Sequence, residues 1–147
     1  VLNERWTGYT SVEIAEQSLK TGREVFRFVL EDIKALPDNI PIIVEGVGLT
    51  PEIVHPVMTS AHQGIWLVPT KEIMERSFRK KASFLQITMG DQAETTITLL
   101  LQANIHLMDV IKSQAEQYGC KEYEIGEKLS IEENTANVWA HFSQYLR

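Results

Sequence analysis

The sequence predicts an α/β domain in which an open parallel β-sheet is covered by helices. Two short apolar runs rich in β-branched residues, at positions 41–46 and 64–69, are typical of strands buried on both faces. Helical patterns precede, separate and follow these runs, and such alternation favours a parallel sheet. The chain has 147 residues, of which 44% are apolar and 23% charged, so we expect a single domain spanning residues 1–147.

The first predicted helix begins after Thr10. Glu13 lies three residues further on, in the spacing of a capping box, and apolar residues then recur with a helical period as far as Ile33. Gly22 allows a bend within this helix, and the turn-forming residues 37–39 end it.

The middle of the chain predicts strand, helix, strand and helix in that order. Residues 41–46 form the first strand, and a short helix follows Thr50 and is limited by Pro56. Residues 64–69 form the second strand, and Thr70 caps the next helix.

The last third predicts two more helices and a weak strand. A loop at residues 89–90 leads into a long helix over residues 92–118, which Gly119 closes. Residues 122–125 form the weak strand, and the Ser130 capping box begins a final helix that reaches Leu146.

Composition excludes several classes of protein. The formal charge of −6 argues against a nucleic-acid binder, and no apolar run approaches the ~20 residues that cross a membrane. The single cysteine, Cys120, cannot form an internal disulfide, and no secretory signal is visible, so we expect a reducing, cytoplasmic location. The sequence has no G-x-S-x-G elbow and no metal-ligand spacing of its histidines.

Glu45 and Gly46 lie at the end of the first predicted strand. Ligands of open α/β sheets bind at the carboxyl ends of the strands, so Glu45 is a candidate magnesium partner or general base. The alternative is a structural carboxylate that caps a helix or pairs with a lysine.

A basic cluster is the second candidate site. Residues 76–81 carry four cations in an otherwise acidic chain, and an arginine fork with a lysine charge suits a phosphate group. The alternative is a solvated helix face in which Glu72 and Glu75 pair with Arg76 and Arg79 at i,i+4 spacing.

These segments together resemble the later two-thirds of P-loop small-molecule kinases, closest to the uridine-kinase-like and zeta-toxin-like ATP-dependent phosphotransferases. The resemblance rests on four stretches, with residues 114–119 and 130–146 resembling the end of the same domain. The four stretches are Ile42-Ile43-Val44-Glu45-Gly46, Leu49-Thr50-Pro51-Glu52-Ile53-Val54, Ile65-Trp66-Leu67-Val68-Pro69-Thr70 and the cluster from Arg76 to Lys81.

The resemblance implies a fold, two cofactors and roles for particular residues. The fold would be a three-layer α/β/α open parallel sheet, and the cofactors would be ATP and Mg²⁺. Glu45 would help to hold magnesium through water, and Arg76, Arg79 and Lys80 would belong to a lid over the transferring phosphoryl group. The loop of residues 126–129, with Gly126 and Lys128, would lie near the adenine.

The chain departs from the family in lacking the phosphate-binding loop G-x-x-x-x-G-K-[ST]. In the family's sheet, the strand before that loop lies between the strands that correspond here to residues 42–45 and 65–68. Its removal would leave buried backbone groups unpaired, at a cost on the order of 1–3 kcal/mol each. We therefore expect an N-terminal segment before Val1 to complete the sheet, with another chain, as in a homodimer, or a rearranged fold as the alternatives.

Two functions from different classes follow. The first is part of a kinase of a small hydroxylated substrate, such as a nucleoside or a sugar; the second is a catalytically inactive P-loop relative that binds or regulates. An α/β protein unrelated to kinases is a third interpretation.

Overall fold

The protein is a mixed α/β structure, mostly helical, with a small two-stranded parallel sheet. The computed structural model describes residues 8–37 and 39–145. The elements in chain order are α1 (Ser11–Lys34), α2 (Pro51–Val54), β1 (Ile65–Pro69), α3 (Lys71–Met89), α4 (Ala93–Gln117), β2 (Lys121–Ile125) and α5 (Ile131–Phe142). Single 3₁₀ turns lie at His55–Val57, Ala61–Gln63, Gly90–Gln92 and Ser143–Tyr145. Within the described residues, no helix is long and apolar enough to cross a membrane.

Both predicted capping boxes are confirmed. At the start of α1, the Thr10 hydroxyl accepts a hydrogen bond from the Glu13 amide at 3.2 Å, and the Glu13 carboxylate accepts one from the Thr10 amide at 2.7 Å. The bond from the Thr10 amide, with a second from its hydroxyl, lowers the pKa of Glu13. Ser130 and Glu133 form the same box at the start of α5.

The predicted end of α4 is also confirmed. Gly119 has a φ of +62°, a left-handed conformation that favours glycine, and the amide of Cys120 returns to the carbonyl of Ala115 at 2.8 Å. The predicted endpoint at Leu146 and the turn residue Asp38 lie outside the described residues.

The two strands pair directly with each other in parallel. Leu67 of β1 lies opposite Tyr123 of β2, and Pro69 lies opposite Ile125. Helices α3 and α4 make the connection between the strands, as a parallel crossover requires. The predictions of a strand at residues 64–69 and of a weak strand at 122–125 are therefore confirmed within a residue at each end.

The core lies between one face of this sheet and the helices α1, α3 and α4. Trp66 and Val68 of β1 are buried there, together with residues of all three helices. The cluster comprises Ala15, Trp66, Val68, Met74, Leu107, Met108 and Ile111. Alternate residues of a strand face opposite sides, so Leu67 points away from this core and is 47% exposed.

Helix α5 contacts the opposite face of the sheet. The Tyr123 hydroxyl donates to the side-chain oxygen of Asn134 at 3.1 Å and accepts from the side-chain amide of Asn137 at 2.6 Å. On the core side, Lys112 of α4 lies within 3.8 Å of the carboxylates of both Glu122 and Glu124. The two faces of β2 thus carry different contacts, as its alternation requires.

The prediction of a buried strand at residues 41–46 is wrong for this structure. The segment has no regular structure and is exposed throughout; Ile42 is 38%, Ile43 69% and Val44 42% exposed. A strand is held by hydrogen bonds to a neighbouring strand, and in the described part of the chain β1 and β2 pair with each other alone. The segment therefore has strand-forming side chains and no strand beside it.

Residues 49–52, which follow this segment, contact other parts of the structure. The indole N–H of Trp66 donates to the carbonyl of Leu49 at 2.7 Å. Glu52 pairs with Arg23 of α1 at 2.6 Å and accepts from the side-chain amide of Gln114 of α4 at 3.1 Å. These contacts fix residues 49–52 against α1, β1 and α4.

The backbone at Gly48, just before these residues, lies very close to α1. A Cβ atom built on Gly22 would lie 2.8 Å from the carbonyl oxygen of Gly48, closer than real Cβ atoms approach. Gly22 is therefore needed for the close approach of two backbones, and not for the bend that the sequence suggested, because α1 is one unbroken helix.

We expect Gly22→Ala to destabilise the protein by about 1–2 kcal/mol, measured by urea unfolding. The clash with the backbone of Gly48 outweighs the gain of up to about 1 kcal/mol that alanine gives within a helix. Gly46→Ala is the matched control, because a Cβ atom there would meet the Leu49 side chain at an ordinary 3.7 Å. A Gly22→Ala variant as stable as the wild type would contradict the close approach.

Candidate functional site

The carboxyl ends of the two strands lie side by side and form the edge where ligands of parallel sheets bind. The amide of Thr70, directly after β1, donates to the carbonyl of Ile125, the last residue of β2, at 2.8 Å. Gly126 follows, and a Cβ atom built on it would lie 3.4 Å from the Thr70 methyl group. The strand ends are thus joined where α3 begins.

The first turn of α3 carries a local hydrogen-bonding arrangement. The Thr70 carbonyl accepts from the amide of Met74 at 3.0 Å, as a helix cap does. Hydrogen bonds from its own amide and from the Thr70 hydroxyl lower the pKa of Glu72.

Arg76 crosses from α3 to the loop after β2. Its Nη1 atom lies 2.7 Å from Oε1 of Glu127, 51 residues further along the chain. The structure thereby brings together two segments that the sequence assigned to separate roles, the cationic helix face and the loop of residues 126–129. Both side chains are more than half exposed.

The other predicted cationic residues have no such partner. Arg79 and Lys80 of α3 and Lys128 of the loop are exposed, and none makes an ion pair within the part of the chain that the structure describes. The lid role of Arg79 and Lys80 stays a prediction.

The expected i,i+4 pairs on α3 are wrong. Arg76 pairs with Glu127 and not with Glu72. Glu75 pairs with Lys71 on its N-terminal side at 3.8 Å, and not with Arg79. The pairing within this helix face thus differs from that alternative, although Arg76, Arg79 and Lys80 are all exposed to solvent.

Glu45 lies in a groove between α1 and residues 44–49, which comprise the end of the exposed segment and the turn after it. The groove has a volume of about 480 Å³, and its lining is mostly apolar. It is lined by Gln17, Ser18, Thr21, Gly22, Val25, Phe26, Val29 and residues 44–49. Among these described residues, Glu45 is the one charged side chain, so the groove presents a single carboxylate against apolar walls.

The surroundings of Glu45 are compatible with water-mediated contact to magnesium. Mg²⁺ keeps several waters and takes one or two carboxylates, with the remaining ligands coming from substrate phosphates. Glu45 is exposed and makes no hydrogen bond or ion pair within residues 8–37 and 39–145. No group of three or more acidic, histidine or cysteine side chains is placed to bind a metal in those residues, so Glu45 would supply one contact rather than a complete site.

The structure adds two residues that sequence reasoning missed. The sequence places Glu127 only as part of the loop of residues 126–129, because its distant partner, Arg76, gives no local signal. The sequence predicts a possible bend at Gly22, whereas the structure places Gly22 against Gly48, and both glycines line the groove.

Comparison of the chain with protein-family models, with curated proteins and with solved structures gives no match.

We expect Arg76→Ala to change the free energy of unfolding by less than about 1 kcal/mol, because ion pairs between exposed side chains contribute little. Urea unfolding measures this. Val68→Ala is the positive control: Val68 is 1% exposed, and we expect a loss of about 2 kcal/mol. A loss for Arg76→Ala as large as that of the control would assign Arg76 a structural role.

Cys120 gives a second prediction. Partial burial raises the pKa of its thiol, so less thiolate is present at pH 8 than for a free cysteine. We expect iodoacetamide to alkylate Cys120 several-fold more slowly than a cysteine-containing peptide, with the rate still rising above pH 9. Mass spectrometry measures the rate of alkylation. If Cys120 reacts as fast as the peptide at pH 8, the prediction of a raised thiol pKa is wrong.

Proposed function

We propose that this chain is the C-terminal part of an ATP-dependent phosphotransferase that acts on a small hydroxylated substrate. The observation that supports this best is the junction at the carboxyl edge of the parallel strands, where Arg76 of α3 meets the loop of residues 126–129. A cationic side chain at that edge is placed where open α/β sheets bind their ligands.

The residue roles follow from the requirements of phosphoryl transfer, which depends on positioning and charge stabilisation. Arg76 and Arg79 on α3, with Lys80, would approach the transferring phosphoryl group, and Gly126 and Lys128 would lie against the adenine of ATP. A bound magnesium ion would neutralise phosphate charge, with Glu45 contacting its water ligands. The substrate's hydroxyl group would accept the phosphoryl group.

The exposed segment supports the part of the proposal that concerns the fold. Residues 40–47 expose Ile40, Ile42, Ile43, Val44 and Val47 by 38–72%, although such side chains are typical of a strand covered on both faces. In the proposed three-layer α/β/α sheet, one further strand pairs between this segment and β1, and a phosphate-binding loop follows it. A segment preceding Val1 would supply both; a second copy of the chain is the alternative source of the strand.

A catalytically inactive P-loop relative is the second candidate function. Absence of G-x-x-x-x-G-K-[ST] from the complete gene product would favour it, since that loop supplies the backbone amides and the lysine that bind the phosphates. Such a protein would retain the groove beside Glu45 as a binding site.

The test is made on the polypeptide as it occurs in the cell. An intact mass well above the 16.8 kDa of these residues would reveal additional residues, and ATP- and Mg²⁺-dependent phosphotransfer to nucleosides and sugars is then assayed. A mass of 16.8 kDa with no phosphotransfer would favour the inactive relative.

If phosphotransfer occurs, we expect Arg79→Ala to lower its kcat by about 10²-fold or more, because a cation that stabilises transition-state charge is lost. The unfolding free energy should stay within about 0.5 kcal/mol, since Arg79 is exposed. Lys20→Ala, which removes an exposed cation of α1, is the control for net charge. Unchanged kcat in Arg79→Ala would remove Arg79 from the mechanism.

A further inference from the structure

The ion pair between Arg76 and Glu127 joins distant parts of the chain but contributes little to the free energy of folding. It joins the second turn of α3 to the loop after β2, at the edge where the two strands end. The Arg76 side chain is 53% exposed and that of Glu127 is 59% exposed. Water and salt weaken such a pair, so it adds little to the free energy of folding and is readily exchanged.

The same guanidinium has no second acidic partner in the described residues. Of the nearest acidic residues of its own helix, Glu75 pairs with Lys71, and Glu72 makes no ion pair in the described residues. A guanidinium binds a carboxylate and a phosphate through the same fork of N–H donors. Glu127 and a phosphate group would therefore compete for one donor set on Arg76.

We infer that Glu127 is an autoinhibitory residue: it pairs with Arg76 at the carboxyl edge of the sheet in the free protein and is displaced from it when a polyphosphate binds. This inference rests on the proposed function, because it takes Arg76 as the phosphate-binding cation of that site. It adds a regulatory element to that function. In the free protein the Glu127 carboxylate occupies Arg76, and a phosphate must replace this carboxylate on the guanidinium to bind.

The variant Glu127→Gln tests the inference, with inorganic tripolyphosphate as the probe. Glutamine keeps the size of the side chain and removes the competing charge. We expect tripolyphosphate to bind Glu127→Gln roughly 3- to 5-fold more tightly than wild type, the factor that corresponds to an exposed ion pair. NMR titration at low ionic strength, followed at the amides of residues 70–76, measures both the affinity and the location of binding.

Two further variants separate this effect from general charge. Glu132→Gln removes one negative charge from the exposed first turn of α5, a residue without an arginine partner in the described structure, and we expect a smaller change in affinity. In the Arg76→Ala background, Glu127→Gln should give no gain beyond that of Glu132→Gln, because the competition requires the guanidinium.

The outcomes are distinct. Tighter binding by Glu127→Gln that disappears without Arg76 supports the inference. If wild type and Glu127→Gln bind equally while Arg76→Ala binds more weakly, the proposed role of Arg76 stands and the inference about Glu127 is wrong. Weaker binding by Glu127→Gln would also overturn it, because Glu127 would then present Arg76 to the ligand. If none of the variants binds tripolyphosphate, both the inference and the phosphate-binding role of Arg76 fail.

Discussion

The packing of β1 against the helices is the constraint on which the rest of the structure depends. Val68 is almost completely buried, and Trp66 lies beside it among residues of α1 and α4. Burying a valine side chain fully contributes on the order of 1.5–3 kcal/mol, so this face of the strand has one stable orientation. The opposite face, with Leu67, must then point toward the side of α5, and the end of β1 fixes where α3 begins.

The second constraint is backbone pairing, and it explains the exposed segment. Parallel strands with apolar side chains on both faces occur where neighbouring strands and helices cover them. Residues 41–46 have the side chains for that environment, yet in the described residues β1 and β2 pair with each other and neither pairs with this segment. The apolar surface of the segment and the groove beside α1 adjoin along residues 44–47. That continuity is why the proposed function includes an additional strand.

Electrostatics at the carboxyl edge depends on contacts between distant parts of the chain. The chain is acidic overall, with a formal charge of −6, yet α3 carries a local cluster of cations. Within the described residues, Arg76 forms no ion pair with Glu72 or Glu75 of its own helix. The partner is Glu127, which the parallel pairing brings to the same edge. An exposed pair of this kind holds a side chain in place without preventing its exchange.

The sequence by itself determined where α1 and α5 begin and where α4 ends. A capping box closes within four residues, so Thr10 with Glu13 and Ser130 with Glu133 could be identified without the fold, and Gly119 ends α4 by its own backbone freedom. Tertiary structure decided what depends on distant partners. A strand exists only beside another strand, so the side chains of residues 41–46 could not establish one. The ion pair of Arg76 with Glu127 and the contact of Gly22 with Gly48 join residues far apart in sequence, and no local pattern specifies such contacts.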